Sequence, residues 1–211
     1  MHATVFDIDG TLLQSAGVDD ELYKDAVRSV IRGALIRPSL SDYDYVSDSG
    51  ILAQIMTDNS IPSGSEQASV IKSRFMDLLR AHISKHGPFK EVPGAKNILK
   101  MFDKSPDHAV AIATGGWRES ALLKLETAGF GELVCPIATA DDAYDRQEIM
   151  SIALSQLSGS FSSITYFGDG PWDRDASSGL GWNFVAVGSA LGGLESYHDL
   201  ENVLHGFSLQ L

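Results

Sequence analysis

Cysteine is almost absent: Cys135 is the only one in 211 residues. No disulfide can form within the chain and no cysteine cluster can hold zinc, which fits a cytoplasmic setting. Basic residues are also scarce, 16 against 28 acidic ones, for a formal charge of −12. A protein that binds a phosphate backbone needs a basic stripe, so nucleic acid is not an expected partner. No apolar run reaches the ~18 residues of a membrane span. The N-terminus has no basic segment leading into an apolar one, as a signal peptide would. No internal repeat and no HExxH metal pattern occur.

The hydrophobic fraction is 44% and the charged fraction 21%, an ordinary globular balance. Short β-rich apolar runs start at Ala3 (ATVFDI), Ala109 (AVAIAT), Leu133 (LVCPIAT), Ser163 (SITYFGD) and Asn183 (NFVAVG). Between them lie helical patterns: GAKNILKMF after Pro93, RESALLKLETAG from Arg118, and RQEIMSIALSQL from Arg146. This alternation predicts an α/β fold with parallel strands and crossover helices on both faces. One interval breaks the rhythm. About 95 residues separate the first strand from the second, where a few-residue loop and one helix suffice. Its stretches DDELYKDAVRSVIRGAL, DSGILAQIM and SEQASVIKSRFMDLLRAHISKHG read as helices. They predict an inserted helical module over residues 15–89, with the core formed by 1–14 and 90–211; the alternative is a set of helices covering a single core.

Chemistry concentrates at three strand ends. In ATVFDIDGTLLQS, Asp7 and Asp9 stand two apart, so a strand would project both to one face. Ligands of open α/β sheets bind beyond the carboxyl ends of the strands. Alone, the pair is equally a strand end and a DG turn. A calcium loop is excluded by Leu12, where the turn glycine belongs, and by Val18, where the bidentate Glu belongs. The second strand ends in IATGG, where Thr114 offers a hydroxyl and Gly115 a close backbone approach. The fourth ends in YFGDGPWDRDAS, with Asp169 just past the strand and Asp173 in the first turn of a helix starting near Pro171. Four carboxylates in one crevice repel one another without a cation, and all-oxygen ligation suits Mg²⁺.

DxDGT near the N-terminus, a Thr closing the second strand and GDxxxD closing the fourth resemble the haloacid dehalogenase-like hydrolase superfamily. The matching residues are Asp7, Asp9, Gly10 and Thr11, then Thr114, then Gly168, Asp169 and Asp173. The insertion is similar to that superfamily's helical cap, and VPGA from Val92 re-enters the core as in phosphoglycolate phosphatase-like members. The resemblance implies a Rossmann-like core and an aspartyl-phosphate mechanism. Asp7 is then the nucleophile, and Asp9 the acid and base. Asp7, the Asp9 carbonyl, Asp169 and Asp173 serve Mg²⁺, while Gly10, Thr114 and Gly115 serve the phosphoryl group. Members resembling true dehalogenases lack an acid/base Asp at the position of Asp9, so its presence favours phosphoryl transfer.

The resemblance implies a lysine before the fourth strand; here the stretch is DDAYDRQEIM, and Arg146 takes the role, with Lys124 as the fallback. A guanidinium stays charged and binds phosphate bidentately; the alternative is a surface pair with Asp142 or Asp145. Arg118 stands just past the phosphate loop, either to meet an anionic substrate tail or as a solvated helix start. The expected activity is Mg²⁺-dependent hydrolysis of a small phosphomonoester. A mutase of the β-phosphoglucomutase type, or a catalytically quiet metal- or phosphate-binding protein, is the rival.

Overall fold

The computed structural model describes residues 1–62, 64–131, 135–198 and 200. Its elements run β1 (His2–Phe6), α1 (Ala16–Val30), α2 (Asp48–Asp58), α3 (Glu66–His86), α4 (Ala95–Lys104), β2 (His108–Ala113), α5 (Arg118–Thr127), β3 (Ile137–Ala138), α6 (Arg146–Ser155), β4 (Ser163–Gly168), α7 (Pro171–Leu180) and β5 (Asn183–Ala186). The five strands form one sheet in the order β3-β2-β1-β4-β5, and every pairing is parallel. β1 is central. Its Phe6 stands beside Ile112 of β2 and Phe167 of β4, so the three strand ends singled out in the sequence are neighbours.

Strand alternation divides the core into two layers. Phe6, Ile112 and Phe167 face α4 and α5, whose Ile98, Leu99, Phe102, Ala121 and Leu125 are buried against them. Val5, Ala111 and Tyr166 face α6 and α7, meeting Ile149, Met150, Ala153 and Ala176. A parallel sheet covered on both faces explains why these strands read as nearly continuous apolar runs.

The three helices between β1 and α4 leave and rejoin the sheet side by side. Leu13 bridges Glu91 in antiparallel fashion, and the Gln14 N–H donates to the Lys90 carbonyl at 2.9 Å. Above this neck, α1 packs on α3. The apolar cluster is continuous from these helices into the core: Trp117 stacks on Tyr23 at 5.4 Å and meets Phe75 edge-on at 5.6 Å.

Two elements differ from the expected ones. The first helix starts at Ala16 and stops at Val30, because Ile31 turns extended and Gly33 takes φ +72°. The third strand is reduced to Ile137–Ala138; part of the run predicted from Leu133 lies outside the described residues. Among the described residues, no helix is long and apolar enough to cross a membrane.

Candidate active site

The site lies beyond the ends of β1, β2 and β4, roofed by α1 and α2. Asp7 follows β1 directly, its N–H still bonded to the Phe167 carbonyl at 2.9 Å. The chain then turns tightly on Ile8, whose carbonyl accepts from the N–H groups of Thr11, Leu12 and Leu13 at 3.2, 2.8 and 2.9 Å. Gly10 takes φ +80° in this turn, and a Cβ there would fall 2.0 Å from Asp169 Oδ2. Glycine takes this φ without strain and leaves the Asp169 carboxylate in place.

Thr114 is buried, and its Oγ1 accepts from the Gly116 N–H at 3.2 Å. A Cβ on Gly115 would lie 2.8 Å from Arg146 Nη2, so glycine lets the loop approach that guanidinium. The same loop is tied to α2: Asp48 N–H donates to the Gly115 carbonyl at 2.7 Å, and Asp48 Oδ2 accepts from the Trp117 N–H at 2.8 Å.

Arg146 is the first residue of α6, whose start is fixed by Asp145 accepting from the Gln147 and Glu148 N–H groups. Its guanidinium is not on the surface. Nη1 lies 3.3 Å from Asp7 Oδ1 and Nε 3.4 Å from Asp173 Oδ1, with only 10% of the side chain exposed. Asp173 is held by the Gly170 N–H at 3.2 Å in the first turn of α7, a placement that Pro171 at the helix start favours.

Asp7, Asp169 and Asp173 each offer an oxygen within 4.8 Å of the others. Burial, then Asp173, pushes the Asp7 carboxyl well above its usual range, and Arg146 only partly opposes this. Burial and Asp173 push Asp169 up to about 7. Asp173 is raised by burial, against the pull of Arg146. Fully ionised, the three carboxylates would exceed the one guanidinium by two negative charges, which is why they hold their protons without a further cation. The buried Asp173 Oδ1 has no hydrogen-bond partner among the described residues. An all-oxygen donor set with that charge fits a hard divalent cation such as Mg²⁺.

Asp9 has a different environment. Lys124 of α5 is wholly buried, and its Nζ lies 2.6 Å from both Asp9 carboxylate oxygens and 2.7 Å from Asp19 Oδ1 of α1. Ser15 Oγ donates to Asp9 Oδ1 at 2.5 Å. Asp7 and Asp9 thus open on one cavity of about 120 Å³ but take their counterions from opposite faces of the sheet.

The structure brings Asp7, Asp9, Thr114, Gly115, Arg146 and Asp169 to the walls of this cavity, with Asp173 buried behind and Gly10 against Asp169. Thr11 is buried in the turn, and its carbonyl accepts from Tyr197 Oη at 3.1 Å. Lys124, the fallback for the cation beside Asp7, sits on Asp9 instead. Arg118 points elsewhere, bonding the Ile137 carbonyl at 3.0 Å and Asp142 at 2.7 Å. Sequence reasoning missed Asp19 and Asp48. It also passed over a signal at Lys124, which stands on the stripe of Ala121 and Leu125, where a lysine must bury its charge against partners.

The family model for haloacid dehalogenase-like hydrolases matches residues 4–187, and the chain belongs to that family. No curated protein matches it in sequence. Among solved structures it is similar to a hydrolase from Pseudomonas syringae, at 21% identity and TM-score 0.76, over 98% of this chain and 99% of that one. It is similar also to a β-phosphoglucomutase from Clostridium difficile, at 19% and 0.67 over 94% and 86%. A predicted phosphoglycolate phosphatase from Haemophilus somnus matches at 13% and 0.66 over 96% and 97%. At such identities the likeness carries the fold; the membership carries hydrolase chemistry.

Proposed function

We propose that the protein is a Mg²⁺-dependent phosphatase that hydrolyses a small phosphomonoester through a phosphorylated Asp7. The observation that supports this best is the placing of Asp7 against Arg146 with Asp9 across the same cavity. One buried carboxylate has a cation beside it to receive phosphoryl oxygens. The second is set apart by its own ammonium partner.

In this reading an Asp7 oxygen attacks phosphorus and the ester P–O bond breaks, while Asp9 delivers a proton to the departing alkoxide. Asp9 then takes a proton from the water that attacks the aspartyl-phosphate, releasing inorganic phosphate and restoring Asp7. Arg146, Thr114 and the Gly115 N–H hold the equatorial oxygens, where charge stabilisation is commonly the largest contribution to rate. Asp7, Asp169, Asp173 and the Asp9 carbonyl would hold Mg²⁺, which when bound neutralises the carboxylates and phosphoryl oxygens so that anion can attack anion. Residues 15–89 act as a cap over the core of 1–14 and 90–211, excluding water from the intermediate when closed.

The test is phosphate release from an aryl phosphate with Mg²⁺ and with EDTA. Metal-dependent release, abolished in Asp7→Asn, is expected. Release that persists in Asp7→Asn removes the nucleophile assignment, and no release from folded protein removes the phosphatase.

A further inference from the structure

The cavity is small beside the ~300–1,000 Å³ typical of drug-sized ligand sites, which favours a compact alcohol beside the phosphoryl group. Six carboxylates line it, those of Asp7, Asp9, Asp19, Asp20, Asp48 and Asp169, against the cations Lys24, Arg37 and Arg146. Arg146 is committed to Asp7 and Asp173, at the phosphoryl end. The other two belong to the roof, and both are already engaged.

Lys24 Nζ lies 2.6 Å from Asp20 Oδ2, one helical turn back on α1. Arg37 binds Asp58 with two nitrogens, Nε at 2.8 Å and Nη2 at 3.1 Å. Its third nitrogen donates to the Asp42 carbonyl, and its plane lies over Tyr43, 5.4 Å from the ring centre. It fastens the segment before α2 rather than facing a ligand. The roof adds Asp48, whose Oδ2 takes one N–H bond from Trp117, and apolar surface from Leu40, Ile51 and Ile55. Among the described residues, no unpaired cation lines the leaving-group side. A second anion would have to share a cation with Asp20 or Asp58 and lie beside that carboxylate, a like-charge contact that selects against such a ligand.

We propose, on the basis of the phosphatase reading, that the substrate's alcohol part is compact and carries no second phosphate or carboxylate, its other polar groups being donors such as hydroxyl or ammonium. A hydroxyl or ammonium group satisfies the acceptor-rich roof, while the aliphatic patch takes up carbon. The same charge pattern argues against a mutase, since returning the phosphoryl group to a sugar phosphate requires a bisphosphate to be held within this cavity.

The experiment compares kcat/KM for four esters of similar size: glycerol phosphate and phosphoethanolamine against 2-phosphoglycolate and 3-phosphoglycerate. A preference of about tenfold or more for the first pair is expected. In Asp20→Ala the ammonium of Lys24 is released, and the ratio should move about fivefold or more towards 2-phosphoglycolate. Equal rates, or a preference for the carboxylate-bearing esters, overturn the inference and leave the phosphatase standing. No release from any of the four, nor from an aryl phosphate, overturns both.

Discussion

Lys124 and Asp9, 115 positions apart in sequence, meet with the ammonium 2.6 Å from each carboxylate oxygen. The same ammonium reaches Asp19 on α1, so one buried charge links the turn after β1 to the roof. Burial alone would lower the lysine's affinity for its proton, but Asp19 and Asp9 outweigh it, and the group is raised above its ordinary value. Lys124→Met leaves two largely buried carboxylates facing each other. Breaking a buried ionic cluster by removing one partner commonly costs ~3–5 kcal/mol. Denaturant unfolding of Lys124→Met should show a loss of that size, smaller in Lys124→Met/Asp19→Asn, where less negative charge is stranded. Equal losses in the two would separate Asp19 from the pair.

Arg146 bridges Asp7 and Asp173 with different nitrogens of one planar group. A lysine supplies one point charge with three rotatable donors, so it cannot reproduce this planar two-nitrogen placement. For phosphate release, Arg146→Ala should lower kcat about 10²–10³-fold, and Arg146→Lys by less. An unchanged rate in Arg146→Ala would remove this residue from the phosphoryl site.

The sheet and the three strand ends that open on the cavity were legible because apolar runs alternate with helical patterns along the chain. Asp7, Asp9, Thr114 and Asp169 each stand within three residues of such a run. The helix start at Arg146 was legible, and Asp145 caps α6 there; the meeting of Arg146 with Asp7 and Asp173 is a tertiary contact. What stayed hidden depended on contacts across the neck. The partners of Lys124 lie on β1's turn and on α1, and Asp48 reaches the Gly115–Trp117 loop from α2. No local pattern encodes such meetings, because they depend on where the roof helices dock. Among the described residues, β3 is Ile137 and Ala138, in register with Ile112 and Ala113; the start of the run read from Leu133 lies outside them.

Gly10 packs against Asp169 with no room for a side chain. Gly10→Ala combines a strained positive φ with a clash against a carboxylate, costing on the order of 1–3 kcal/mol. It should also displace Asp169, so Mg²⁺ titration followed by calorimetry should show weaker binding even where the protein remains folded. Unaltered affinity would place the cation away from Asp169.

Metal and pH should act on the same carboxylates. Without metal, burial and Asp173 hold Asp169 up to about 7, and burial raises Asp7 as well. In the unfolded chain both titrate near ~4. Between about pH 4 and 7 the folded state therefore keeps protons that the unfolded state has lost, and stability falls as pH rises through that window. A bound divalent cation neutralises the ionised carboxylates and must displace those protons to bind. Thermal melts in EDTA should show Tm falling from about pH 5.5 to about pH 8. Millimolar Mg²⁺ should raise Tm more at the higher pH, where fewer protons compete. An equal Mg²⁺ effect at both values would mean that the cation binds elsewhere, since any site built on Asp7 and Asp169 must release their protons first.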